Sequence, residues 1–190
     1  MTRDATLEDR LQFLKRAENL KNTLRSGNTS IGRRESTAEH SWRLALLAMV
    51  VADLVPGIDL LKLLKLCILH DLGEAVDGDI PAPEQVGLRQ KSGKERADFV
   101  SLTEDLPPPV KAEFLALWDE YENAASEEAR LAKALDKIET LVQHNQGSNL
   151  PGFDYGFNLD YGRNYTDANR LTAELRAMID IETRQLAEEK

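Results

Sequence analysis

The sequence predicts an all-α protein with a single domain, and three observations support this class. Apolar residues recur at steps of three and four through most of the chain, which is the spacing of one helix face. No segment alternates apolar and polar residues for the length of a strand. At 190 residues, the chain is long enough for one well-buried core and short for two domains.

The first predicted helix covers residues 5–24. Its apolar residues recur at three- and four-residue steps, as on one face of an amphipathic helix: Leu7, Leu11, Leu14, Ala17 and Leu20. The turn-forming residues 25–28 (Arg-Ser-Gly-Asn) end this helix, and a loop is expected from there to Glu35.

The next two helices carry the candidate chemistry. Ser36 and Glu39 form a capping-box pattern, so the second helix is predicted from about 37 to 54. Residues 59–76 predict a third helix that is apolar almost all round. A helix of this kind belongs in the centre of a domain.

The rest of the chain predicts polar loops and four further helices. Residues 78–83 contain turn residues, and residues 84–93 are polar and expected to be mobile. Residues 147–162 are rich in Gly, Asn and aromatics and predict a long loop. The helices are predicted over about 94–105, 109–123, 126–146 (with Ser126 as its cap) and 166–188.

Composition and charge limit the partners and the compartment. The single cysteine, Cys67, cannot form an internal disulfide, so a cytoplasmic setting is expected. The N-terminus has no apolar core of a secretory signal, and no run reaches the roughly 18 apolar residues of a membrane span. A net charge of −9 argues against a nucleic-acid polymer as partner. A small anionic substrate remains compatible, because a metal and a few arginines can form a local positive pocket.

Two of the three histidines and two aspartates form a candidate metal site. His40 lies early in the second helix, the doublet His70-Asp71 follows the third, and Asp136 lies in a later helix. Such nitrogen and oxygen ligands suit one divalent ion (Mn, Co, Fe, Ni, Zn or Mg) and leave positions for water and substrate. The side chains of adjacent helical residues point about 100° apart. His70 and Asp71 can therefore reach one metal ion only near a helix end, which Gly73 indicates.

Further charged residues predict what this site does. Glu74 and Asp79 follow the doublet closely and are candidates for general acid and base. Arg25 and Arg33, with Arg34 beside it, flank the loop before the first metal ligand, and guanidinium groups there could hold a phosphate. Metal, carboxylates and arginines together indicate hydrolysis of a phosphate ester.

Each residue alone also has a structural interpretation. His40 alone is more typical of a hydrogen-bonded core histidine, and Asp136 alone of a surface residue. Glu74 and Asp79 fit capping or turn roles equally well. Only the joint pattern favours the metal site. His144 is interpreted as structural. It follows Asp136 by eight residues, which places it about 80° away from Asp136 around the helix.

These motifs resemble the HD-domain superfamily of metal-dependent phosphohydrolases, whose signature is H…HD…D. The resemblance extends to the branch that contains the bacterial 5′-deoxynucleotidases. It spans about residues 10–146 and rests on four stretches, residues 33–42 (RRESTAEHSW), 69–74 (LHDLGE), 78–80 (GDI) and 134–137 (ALDK).

The resemblance implies a single HD domain over 1–190, a helical bundle with an additional loop and helix over 147–190. It implies a phosphomonoesterase for (deoxy)nucleoside 5′-monophosphates or similar small phosphate esters, and a homodimer. The implied roles are metal binding by His40, His70, Asp71 and Asp136, catalysis by Glu74 and Asp79, and substrate binding by Arg25 and Arg33.

One position departs from that branch. Ser26 stands where the deoxynucleotidases have a tryptophan that is associated with selecting deoxyribose, so weaker sugar selectivity is expected. Two alternatives stay open at this point. One is a phosphodiesterase or a hydrolase of hyperphosphorylated guanine nucleotides. The other is a non-catalytic helical module that binds a metal or a nucleotide.

Overall fold

The computed structural model describes residues 6–79 and 88–189 and is predominantly helical, which confirms the predicted class. Two short strands lie between the first two long helices, β1 (Leu24–Asn28) and β2 (Arg34–Ser36). None of the described helices is long and apolar enough to cross a membrane. The helices are α1 (Leu7–Ala17), α2 (Thr37–Val51), α3 (Leu60–Leu69), α4 (Glu74–Asp77), α5 (Leu88–Leu102), α6 (Pro108–Glu122), α7 (Glu127–Gln146), α8 (Tyr155–Asp160), α9 (Arg163–Thr166) and α10 (Arg170–Glu188).

Helices α2, α3 and α7 pack against one another and form the centre of the domain. Leu44, Leu63 and Leu135, one from each helix, are fully buried at 0% exposure. Both helix starts predicted from capping residues are confirmed, since Ser36 and Ser126 each accept a hydrogen bond from the backbone of their own helix. This three-helix core carries the candidate metal ligands.

The predicted third helix is interrupted at the His-Asp doublet. Helix α3 ends at Leu69, a short turn contains His70 and Asp71, and α4 begins at Glu74. A β-carbon on Gly73 would lie 2.9 Å from the carbonyl oxygen of Glu95, so only glycine fits this approach to α5. The expected helix end near the doublet is therefore present.

A β-hairpin replaces the loop predicted over 25–35, so the expectation of no strand was wrong for these residues. Strand β1 pairs with β2 in antiparallel register, with Leu24 opposite Ser36. Six of the eight strand residues are polar and one is glycine, and the register is irregular, so the strands show no apolar alternation. Contacts with α7 stabilise the hairpin instead, because the Gln143 side chain donates to the carbonyl of Asn28 at 2.6 Å.

Helix α1 starts near the predicted position but ends at Ala17, seven residues before the predicted end, and its leucines face the solvent. Leu7, Leu11 and Leu14 are 79%, 55% and 60% exposed. Phe13 is buried instead and packs edge-on against Phe114 of α6, with ring centroids 6.1 Å apart. Leucine spacing thus predicted the helix but not the face that it buries.

The second half differs from the prediction in two places. Helix α5 begins at Leu88, six residues before the predicted start at about 94. Residues 80–87, which include the rest of the predicted loop and polar stretch, lie outside the described residues. The loop predicted over 147–162 contains α8.

A buried arginine holds the C-terminal helix against the domain. Arg176 of α10 is 1% exposed, and its guanidinium donates to Asp180 at 2.6 Å. It also donates to the carbonyls of Tyr161 and Asn158 at 2.6 Å and 2.7 Å. A buried charge requires such complete pairing. Arg176 thus links α10 to α8 and to the segment before α9.

Replacing this arginine should destabilise the fold. We expect Arg176→Ala to lower the free energy of unfolding by about 3–5 kcal/mol, because Asp180 and the carbonyls of Asn158, Leu159 and Tyr161 lose a buried partner. Arg170→Ala on the same helix is the control. Its side chain is 91% exposed and should cost less than about 1 kcal/mol. Urea titration measures both, and equal losses would contradict this role.

Candidate metal centre

The structure brings the four predicted metal ligands together from three elements. His40 lies in α2, His70 and Asp71 in the turn after α3, and Asp136 in α7. His40 Nε2 is 3.2 Å from Asp136 Oδ1, and His70 Nε2 is 3.0 Å from Asp71 Oδ2. The longer separations are 3.8 Å from His40 to Asp71 and 4.0 Å from His70 to Asp136. Ligand atoms of His40, His70 and Asp71 all lie within 4.8 Å of one another, and Asp136 Oδ1 lies within 4.0 Å of both histidine nitrogens.

The chemistry of the two histidines fits a divalent metal ion. Both Nε2 atoms are buried and lack a hydrogen-bond partner. Their Nδ1 atoms are occupied, in His40 by the Glu139 carboxylate and in His70 by the carbonyl of Cys67 at 3.0 Å. A neutral imidazole held through Nδ1–H presents the lone pair of Nε2 to a metal. An ion there would also satisfy two nitrogens whose burial otherwise costs about 1–3 kcal/mol each.

Three residues that the sequence reasoning missed hold the ligands in place. Glu139 fixes His40 and is itself held by Arg43 at 2.6 Å. The Tyr121 hydroxyl donates to Asp136 Oδ2 at 2.9 Å, which leaves Oδ1 directed at the histidines. A signal existed for Glu139, a charged residue three positions after Asp136 and next to the apolar Ile138. Tyr121 gave none, since only the packing of α6 brings it to the site.

A second group of possible ligands shares His40. Carboxylates of Glu35 and Glu139 approach the same imidazole. Both already have cationic partners, because Arg25 Nε lies 3.6 Å from Glu35 and Arg43 donates to Glu139. The Nδ1 atom of His40 already bonds to Glu139 in this second group, whereas the unpartnered Nε2 atom faces the predicted ligands, so the predicted set is the better cation site.

Arg25 lies beside the metal ligands. Its guanidinium is 3.4 Å from Asp71 and donates to the hydroxyl of Thr140 at 3.0 Å. Burial lowers the pKa of Arg25, but the charges of Asp71 and Asp136 raise it more, so the group stays protonated. The acidic protein therefore contains a buried positive charge at this site.

Both candidate catalytic carboxylates, Glu74 and Asp79, lie close enough to Arg25 to interact with its charge. Glu74 is buried and accepts a hydrogen bond from the hydroxyl of Thr37 at 3.0 Å. Burial, and then the charges of Asp71 and Asp79, raise the pKa of Glu74 to about 9. Asp79 is near enough for its charge to act on both Glu74 and Arg25.

The remaining predicted residues lie outside this cluster. Arg33 is half-exposed and forms a two-pronged ion pair with Glu39 at 2.5 and 2.9 Å. Arg34 donates to the carbonyl of Arg25 and so holds the hairpin together. His144 pairs with Asn158 at 3.1 Å, as a structural histidine does.

Removing the group that orients His40 should weaken metal binding. We expect Glu139→Gln to reduce the affinity for Mn²⁺ or Co²⁺ about 10- to 100-fold, because a neutral amide supports the imidazole less well. Glu127→Gln, an exposed position on the same helix, is the matched control. Isothermal titration measures the affinities, and an unchanged value for Glu139→Gln would contradict the assignment.

Comparison with known proteins places this geometry in context. Residues 17–176 match the family model described as HD domain. A Danio rerio protein named 5′-deoxynucleotidase is 32% identical over 148 residues, which cover 77% of this chain and 73% of that protein. A Schizosaccharomyces pombe protein named 5′-deoxynucleotidase is 36% identical over 137 residues, covering 69% and 68%.

A solved structure shows the same fold over nearly the whole chain. It is described as a predicted metal-dependent phosphohydrolase from Magnetospirillum magnetotacticum. The TM-score is 0.83 at 29% sequence identity, and the match covers 96% of this chain and 95% of that one. The resemblance inferred from the motifs thus agrees with two independent comparisons.

Proposed function

The chain belongs to the HD-domain family, and on that premise we propose that it is a divalent-metal-dependent phosphomonoesterase acting on nucleoside 5′-monophosphates. It is a hydrolase, as its relatives named 5′-deoxynucleotidases are. The observation that carries the proposal is the pair of buried, unpartnered Nε2 atoms that face two carboxylates beside Arg25.

The proposed metal ligands are the two histidines and the two aspartates of the cluster. A divalent ion there supplies Lewis-acid polarisation of the phosphate and a lowered pKa for water. Nitrogen and oxygen donors suit Mn, Co, Fe, Ni, Zn or Mg, and we propose one ion per chain. The four ligands are His40, His70, Asp71 and Asp136.

The charged residues around the ligands carry the other roles. Arg25 is proposed to bind the substrate phosphate, since its protonated guanidinium offers donors that now contact Asp71 and Thr140. Glu74 and Asp79 are proposed to transfer protons, one taking a proton from water and the other giving one to the departing 5′-oxygen. The Thr37 hydroxyl orients Glu74 for this role.

The proposal extends to the sugar, the assembly and the compartment. Ser26 is exposed on β1 beside Arg25, and its small side chain leaves room for a ribose 2′-hydroxyl. Ribonucleoside 5′-monophosphates are therefore included with the deoxy substrates. The family resemblance supports a homodimer, and the buried, unpaired Cys67 supports a cytoplasmic setting.

Loss of a metal ligand should abolish hydrolysis. We expect Asp71→Ala to lose at least about 1,000-fold in kcat/KM, because the ion and the water it activates lose their support. Asp105→Ala, which removes a surface carboxylate paired with Arg16, should stay near wild type. The assay measures phosphate released from a panel of ribo- and deoxynucleoside 5′-monophosphates with added metal. Undiminished turnover by Asp71→Ala would refute the mechanism.

The two arginines should differ in their effects. Arg25→Ala is expected to raise KM at least about tenfold, because it removes a charge-assisted contact to the phosphate. The resemblance implies Arg33 as a second basic position. We propose that Arg33 contributes less to phosphate binding than Arg25 does, because Glu39 already binds its guanidinium. Arg33→Ala should therefore change KM less than Arg25→Ala. Steady-state kinetics on one substrate compares the two, and the reverse order would contradict the placement of the phosphate.

A further inference from the structure

Lys137 directly follows the metal ligand Asp136 in α7. The side chains of neighbouring helical residues point about 100° apart, so a lysine at this position is expected to extend away from the aspartate. Lys137 instead turns back, and its Nζ lies 2.8 Å from Asp136 Oδ2. Only 22% of its side chain is exposed. Other parts of the fold must therefore hold the lysine in this conformation.

Two residues from the segment before α9 pack on this lysine. Gly162 lies against its stem, since a β-carbon on Gly162 would be 2.6 Å from Lys137 Cγ and 2.8 Å from Lys137 Cβ. The centre of the Tyr161 ring lies 5.3 Å from Nζ, within the range of a cation–π contact. Arg176 donates to the carbonyl of Tyr161 at 2.6 Å. The buried arginine therefore holds the segment that packs on Lys137.

The two oxygens of Asp136 have different environments. Oδ2 accepts two hydrogen bonds, from Lys137 Nζ at 2.8 Å and from the Tyr121 hydroxyl at 2.9 Å. Oδ1 lies 3.2 Å from Nε2 of His40 and 4.0 Å from Nε2 of His70. Both donors converge on one oxygen, and the other oxygen faces the two unpartnered nitrogens. This division matters because a carboxylate can bind a metal ion through one oxygen or through both.

We propose that Lys137 is a positioning residue of the metal site, held by Tyr161 and Gly162 so that Asp136 offers the ion Oδ1 alone. This inference rests on the proposed metal-dependent function. One position at the ion then stays open for water or a phosphate oxygen, as a catalytic metal site requires. Without Lys137, Oδ2 is free to bind the same ion and to fill that position.

The visible absorption spectrum of bound Co²⁺ tests this role without a measurement of activity. The spectrum depends on the number and geometry of the ligand atoms, so Lys137→Met is expected to change its band positions and intensities. Lys137→Arg keeps a donor for Oδ2 and should restore most of the wild-type spectrum. Lys65→Met is the matched control, because it removes a lysine that pairs with Glu113 at the surface, and its spectrum should not change. Circular dichroism verifies that the variants stay folded.

Two glycine variants test the packing on Lys137 while the lysine itself is kept. Gly162→Ala places a β-carbon against the lysine stem and should reproduce the spectral change of Lys137→Met. Gly152→Ala is the matched control. Both glycines have a positive φ, +71° and +87°, so alanine is strained at each, but a β-carbon on Gly152 would meet nothing within 4 Å. Identical spectra for the two variants would contradict the role of Gly162.

Steady-state kinetics separates positioning from substrate binding. Lys137→Met is expected to lower kcat at least about tenfold and to leave KM within about threefold of wild type, because the lysine acts through Asp136. A raised KM at unchanged kcat would assign Lys137 to phosphate binding and overturn the inference. An unchanged Co²⁺ spectrum in Lys137→Met overturns it too, and leaves the phosphomonoesterase proposal intact. A wild type that binds no Co²⁺ overturns both.

Discussion

The structure depends most on two imidazole nitrogens that are buried without hydrogen-bond partners. Nε2 of His40 and Nε2 of His70 face two carboxylates in the centre of the domain, and the other nitrogen of each ring is held by protein groups. Glu139 and Tyr121 hold their ligands from behind, so the geometry exists before any ion arrives. Buried polar atoms are almost always paired, so two unpaired nitrogens in a core are unusual unless they bind a ligand.

The fold is arranged around this cluster. The break after α3 lets two adjacent residues reach one point, and Gly73 permits the turn to approach α5. The hairpin brings Arg25 to the same point from a segment that has little helical or strand character of its own. A protein with a net charge of −9 thereby places a protonated guanidinium where a phosphate would bind.

Local patterns predicted the parts of this arrangement that local interactions determine. Helical spacing and the caps at Ser36 and Ser126 depend on near neighbours, and the motif order singled out the four residues that now meet. The hairpin and Tyr121 depend on contacts between distant segments, which no spacing reveals. The orientation of α1 was hidden for the same reason, because Phe13 packs against Phe114 from a distant part of the chain.

The position of a bound metal ion tests the central claim most directly. Crystals grown with Mn²⁺ or Zn²⁺ should show one anomalous peak per chain, between the Nε2 atoms of His40 and His70 and the carboxylates of Asp71 and Asp136. Ligand distances of about 2.0–2.2 Å are expected for Zn²⁺. A peak between Glu35, His40 and Glu139 instead, or no peak at saturating metal, would contradict the account.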